Sequence, residues 1–128
     1  ALSALDASDL IVLITTQDIP SIKNARLFLD LAEVLTIQRR RILFMMNRFD
    51  RRVGITPEKV GESFKHEISA VIPLDEKVIV PSVNRGIPFM MGDRARPTAK
   101  SFLSLTEEVR KRLAELSEAE MEEALQRA

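Results

Sequence analysis

The sequence predicts an α/β domain of three layers, with helices on both faces of a mainly parallel sheet. Two apolar runs, LIVLI at 10–14 and ILFMM at 42–46, are continuous and do not alternate, which is the pattern of a strand covered on both faces. A shorter run, SAVI at 69–72, ends at Pro73. Two stretches of helical character, at about 21–36 and 57–67, separate these runs. The order is therefore β-α-β-α-β, and right-handed crossovers make such a sheet parallel.

The first helix opens at Pro20 and Ser21 and carries Ala25, Phe28, Leu29, Ala32 and Leu35 at helical spacing, a face suited to the sheet. Leu27, Leu31 and Val34 form a second apolar stripe beside it. That stripe needs another partner, either a second molecule or a further helix. The second helix has Thr56 as N-cap, Pro57 at the first helical position and Glu58 in the first turn, each favoured there by the exposed amides and the helix dipole. Val60 and Phe64 give it an apolar edge. Residues 78–81 read as a short extended piece and 84–88 as a turn cluster. A last helix begins near Pro97 and Thr98 and runs through Phe102, Leu105, Val109, Leu113 and Leu116. The domain is thus placed at 1–116, with 117–128 as a polar helical tail.

Bulk properties narrow the function classes. The 128 residues, 45% hydrophobic and 30% charged, suit one domain with a real core. Lysine plus arginine and aspartate plus glutamate both number 19, so no net field favours nucleic acid or an anionic membrane. The absence of cysteine excludes disulfides, thiolate metal sites and thiol nucleophiles, and fits a reducing cytoplasm. The apolar runs fall far short of the ~20 residues that span a bilayer. The opening ALSALDASD has no signal-peptide pattern and reads as the interior of a longer domain.

In an open α/β sheet, ligands gather beyond the carboxyl ends of the strands. The first strand delivers Thr15, Thr16, Gln17 and Asp18 there, the second Asn47, Arg48 and Asp50, and the third Pro73, Leu74 and Asp75. Asn47 is the most informative, because a carboxamide can donate and accept at a purine edge; it can equally cap a turn. His66, the single histidine, stands between Lys65 and Glu67 and reads as solvated. Arginines 39–41 and the group Arg48, Arg51 and Arg52 flank the second strand at opposite ends, so they form no single nucleic-acid stripe. Met45, Met46, Met90 and Met91 read as core or loop packing. The carboxylates are scattered, and no metal or catalytic residue is assigned.

The order of TTQDIPSIKNARLFLDL, MNRFD and AVIPLDEKVIVPSVNRGIPFM, followed by an amphipathic helix, resembles the second half of the MinD/ParA superfamily over residues 5 to about 114. The piece DIPSIKNA looks most like the CpaE/TadZ pilus-assembly branch. The resemblance implies the C-terminal half of a P-loop NTPase-like (SIMIBI) fold. It further implies a parent protein that binds ATP with magnesium, is an ATPase, and positions pilus or secretion machinery through an ATP-dependent dimer switch. Asn47 matches the adenine-recognising Asn, with Arg48 beside it, and Pro81, Ser82, Val83 and Asn84 match the loop flanking the base. Residues 18–24, including Asp18, Lys23 and Asn24, match a region facing the partner subunit, which agrees with the stripe of Leu27, Leu31 and Val34.

The departures matter as much. Glycine occurs only at Gly54, Gly61, Gly86 and Gly92, and no Gly-Lys-Ser/Thr is present. Without amides and a lysine to balance triphosphate charge, this chain alone is expected neither to hydrolyse ATP nor to bind it tightly. The expected partners are a second copy and pilus, secretion or cell-pole proteins. The acidic tail disfavours insertion among anionic headgroups, so the expected location is cytoplasmic, reaching the membrane only through partners. A stand-alone, non-enzymatic interaction module, such as a degenerate receiver, ranks second because its acidic pair, phosphoacceptor Asp and late Lys are not evident. A half domain should also expose an unpaired sheet edge and apolar surface, and should self-associate.

Overall fold

The three apolar runs become the three strands of one parallel sheet, in the order β1 (Ile11–Thr15), β2 (Ile42–Phe49) and β3 (Ile68–Pro73). This computed structural model describes residues 9–92 and 94–127; residues 1–8, where the opening stretch and the resemblance begin, lie outside it. The helices are α1 (Ile19–Val34), α2 (Pro57–Phe64), α3 (Glu76–Arg85) and α4 (Pro97–Arg127), with single 3-10 turns at Arg39–Arg41 and Phe89–Met91.

Side chains of a strand alternate between faces, and β2 fills both. Phe44 and Met46 pack with Ala25 of α1 and with Val60 and Phe64 of α2. Leu43, Met45 and Ile72 pack on the other face, with Phe102, Leu105 and Val109 of α4 against them. The result is the expected three layers. All five residues from 42 to 46 are at most 4% exposed, which is why this run shows no polar alternation.

The first face is organised around aromatic rings. Phe44 stacks on Phe64 with centroids 5.8 Å apart, and the Arg26 guanidinium lies 4.4 Å from the Phe64 centroid, within cation–π range. His66 departs from the solvated reading. Its ring meets Phe44 edge-on at 5.9 Å, and its Nε2 is buried with no hydrogen-bond partner. The cause is the end of α2: Lys65 adopts left-handed φ of 53° and the His66 amide bonds back to Gly61 O, a closure that turns the chain onto the core.

The other face is pinned by Arg112. This half-buried side chain donates to Arg40 O, Ile42 O and the Ser69 hydroxyl, each at 3.3 Å, so α4 is fixed at the amino ends of β2 and β3. Helix α4 continues unbroken past residue 116, and its outer part carries the exposed Met121 and Leu125.

Residues 78–81 form a helix, α3, and are not extended. Their β-branched composition suggests a strand, but local hydrogen bonding decides otherwise. The amides of Val78 and Ile79 bond to Asp75 O, and Gly86 ends the helix at φ 67°, a conformation glycine adopts without penalty. Along α3, Val78, Ile79 and Ser82 are half-buried while Val80 and Val83 face outward, a helical period.

Strand β1 is paired only with β2 among the described residues. Its Val12 and Ile14, in register with Leu43 and Met45, are 41% and 53% exposed, so helix α4 leaves part of this sheet face bare. Phe44→Ala is expected to lower the unfolding free energy by about 3–5 kcal/mol, whereas Leu125→Ala should stay within about 0.5 kcal/mol. Urea denaturation followed by circular dichroism measures both.

Candidate functional site at the carboxyl rim

Parallel pairing brings the carboxyl ends of all three strands to one rim. At the end of β1, the buried Thr15 hydroxyl lies 3.2 Å from the Ser21 hydroxyl, which also accepts from Thr16 N at 3.0 Å. Asp18 is the N-cap of α1: its Oδ1 accepts from Ser21 N at 2.9 Å, and the Thr16 hydroxyl donates to its Oδ2. The Thr16 hydroxyl, followed by the Ser21 amide, holds the Asp18 carboxyl below its ordinary range.

The end of β2 is distorted. Met46 pairs with Val71 and Phe49 with Pro73, so Asn47 and Arg48 together oppose Ile72 alone. This is a bulge, which bends a strand and re-aims its side chains. Arg48 takes φ 53°, and its amide donates to Asn47 Oδ1 at 2.9 Å, a local bond that helps an Asn-containing turn hold its shape. Beyond the bulge, Asp50 accepts from the Arg52 side chain at 2.8 Å. Arg52's side-chain and backbone donors hold the Asp50 carboxyl below its ordinary range, although exposure makes this pair weak.

Gln17 bridges the first two strand ends. Its Oε1 accepts from Asp50 N at 2.8 Å, and its Nε2 donates to Asp50 O at 3.1 Å and to Ile55 O at 2.7 Å. At the end of β3, Leu74 N donates to Phe49 O at 2.9 Å, and Asp75 accepts from the buried Thr98 hydroxyl at 2.8 Å. An open crevice of about 490 Å³ results, lined by Phe49, Asp50, Arg51, Arg52, Pro73 and Leu74.

A more enclosed hollow of about 340 Å³ lies between α1 and the α2–β3 turn, among Arg26, Asp30, Glu33, Arg39, Lys65 and His66. Ile42, the first residue of β2, lines it, so it sits at the amino end of the sheet. The carboxyl-rim crevice is the better candidate because open parallel sheets bind ligands there.

The structure brings together some of the residues singled out by sequence. Asn47 and Arg48 occupy the β2 bulge. Pro81, Ser82, Val83 and Asn84 belong to a helix and not to a loop; Pro81 and Ser82 line a separate hollow with Arg85 and Phe89, while Val83 and Asn84 face outward. Pro73 and Leu74 line the crevice at the end of β2 instead. Asp18 is occupied in capping. Lys23, Asn24, Leu27, Leu31 and Val34 are exposed along one side of α1, and the three apolar members are 66%, 45% and 78% exposed. The Gln17 bridge and the bulge were not anticipated; the only hint was that Gln17 and Asn47 each stand just beyond an apolar run.

No family model matches the chain. Over 113 residues it is 28% identical to the septum site-determining protein MinD of Thermotoga maritima, covering 84% of this chain and 41% of that protein. Its fold is similar to the MinD cell division protein of Aquifex aeolicus, with TM-score 0.72 and 22% identity over 84% of this chain and 46% of that one. A ParA family ATPase from Chlorobium tepidum gives TM-score 0.68 and 24% identity over 79% and 43%. The chain thus has a partial α/β fold of the MinD/ParA P-loop type and spans less than half the length of these relatives.

The Asp18 cap acts through its ionised form, and its pKa is lowered on folding. Its contribution is therefore complete above the ordinary value of 3.8 and is lost as pH falls through the lowered one. Hydrogen exchange of the Ser21 amide should show steady protection at neutral pH and falling protection in acid. In Asp18→Ala, protection should be low at every pH.

Proposed function

We propose that this chain is the C-terminal half of an ATP-binding positioning protein of the MinD/ParA kind, closest to the CpaE/TadZ pilus-assembly branch. In the complete protein, an ATPase, ATP with magnesium orders a dimer and hydrolysis releases it. The observation that carries this reading is the β2 bulge, which sets Asn47 and Arg48 on the carboxyl rim at the strand whose next residue, Phe49, lines the crevice. A purine has apolar faces and a polar edge. Phe49, Pro73 and Leu74 suit the faces, and a carboxamide suits the edge. The helical segment Pro81 to Asn84 is assigned to the same side of the base.

The residues present suit the base and not the triphosphate. Balancing phosphate charge requires a glycine-rich loop and lysine, which the reading assigns to the other half of the protein, together with the magnesium-coupled aspartate. That half would also pair with the bare β1 edge and cover Val12 and Ile14. The α1 stripe of Lys23, Asn24, Leu27, Leu31 and Val34, with Asp18 at its start, is assigned to the partner subunit. One Aquifex MinD is known in a complex with MinC; here the partners beyond a second copy are assigned to pilus, secretion or cell-pole machinery. No described helix is long and apolar enough to cross a membrane, and the location assigned is cytoplasmic, with membrane contact only through partners.

Nucleotide titration of the complete protein tests the base assignment. Asn47→Ala is expected to lose the preference for adenine over guanine nucleotides and to weaken ATP binding on the order of tenfold. An unchanged preference would remove the role given to Asn47. Leu31→Lys places a charge on the exposed stripe and should abolish ATP-dependent dimerisation in analytical ultracentrifugation while leaving the monomer's own ATP binding intact. Persistence of the dimer would exclude α1 as the partner surface.

A further inference from the structure

The two carboxamides at the carboxyl rim have different jobs. Asn47 bonds to the adjacent backbone, whereas Gln17 reaches from the end of β1 to the loop that follows β2. Both of Gln17's amide donors and one acceptor position are used on the backbone of Asp50 and Ile55. Those residues are the two ends of the loop. Between them, residues 51–54 are exposed and Gly54 has no atom within 4 Å of the place a Cβ would take. The apex packs little and is shaped by its own bonds, Val53 N to Asp50 O and Arg52 N to Asp50 Oδ1; Ile55 packs on the core, and the Gln17 carboxamide fastens both ends of the loop to the end of β1. Asp50, Arg51 and Arg52 of this loop line the crevice together with Phe49, Pro73 and Leu74.

We propose that Gln17 is a positioning residue for the base-side crevice: it closes the 50–55 loop and so sets where Asp50, Arg51 and Arg52 stand in the crevice. This rests on the crevice being the nucleotide's base side. Gln17 does not touch the ligand; it acts through the backbone of Asp50 and Ile55. Without it the loop samples open arrangements, and ligand binding must then order it, which weakens affinity by the fraction of molecules that are competent.

The test is titration of the complete protein with magnesium ATP, alongside hydrogen exchange at the Asp50 amide. Gln17→Leu is expected to weaken ATP binding on the order of tenfold and to accelerate Asp50 exchange. Arg26→Ala serves as the control, because it breaks a contact to Ser63 on α2, away from the crevice. It should lower thermal stability without changing ATP affinity. Gln17→Glu gives a second readout: its carboxylate would face the carbonyls of Asp50 and Ile55, so affinity relative to wild type should recover as pH falls and the group becomes a donor. Unchanged affinity in Gln17→Leu, equal loss in Arg26→Ala, or a pH-independent Gln17→Glu each overturns the proposal while the base assignment stands. A wild-type protein that binds no ATP overturns the functional reading and this inference together, and the wild-type titration alone identifies that case.

Discussion

Burial of β2 on both faces is the constraint on which the rest of the structure depends. A central strand of a parallel sheet has no solvent side, so Phe44 and Met46 require the α1 and α2 layer while Leu43 and Met45 require α4. Each layer is then tied by an arginine that donates both to backbone carbonyls and to a serine hydroxyl. Arg26 ties α1 to the end of α2 through Ser63, and Arg112 ties α4 to the amino ends of β2 and β3. These contacts convert nonspecific apolar burial into a defined placement of helices.

The same constraint determines where chemistry can occur. The backbone of the central strand β2 is committed to ladders on both sides and its side chains to the two cores, so its functional side chains must stand beyond the buried run. The β2 bulge does this by breaking the register at Asn47 and Arg48 just after the fully buried Met46. The neighbouring strand ends are locked by separate devices: the Thr15, Ser21 and Asp18 network at β1, and the Asp75 to Thr98 bond at β3. The rim is consequently a set of rigid mounts around an open crevice, a form suited to binding a ligand whose remaining contacts come from elsewhere.

Two apolar surfaces lack partners within the described residues. One is the outer face of β1, where Val12 and Ile14 are exposed although their register partners on β2 are buried. The other is the α1 stripe of Leu27, Leu31 and Val34. The first is continuous with the sheet and has an unpaired edge, so it calls for more sheet. The second lies on the far side of a helix already packed by Ala25 and Ala32, so it suits a further helix or a second molecule. This difference in geometry, and not in hydrophobicity, separates the surface assigned to the rest of the protein from that assigned to a partner.

The sequence by itself determined the strands and their parallel arrangement. Continuous apolar runs such as ILFMM at 42–46 can be satisfied only by two-sided burial, and helical spacing in Ala25, Leu29 and Ala32 selected the face of α1 that packs. It also marked the rim, because Asn47 directly follows a buried run and Asp18 stands a few residues beyond the first apolar run. Only tertiary structure decided the character of residues 78–81, where β-branched composition competed with bonds to Asp75 and a left-handed Gly86. It also decided the surroundings of His66, drawn against Phe44 by the closure of α2. The bulge and the Gln17 bridge were likewise outside the reach of sequence, since the bulge depends on the register with β3 and the bridge on bonds to residues more than thirty positions away. Periodicity records which side chains need burial; it does not record where a backbone carbonyl will lie after the chain has folded.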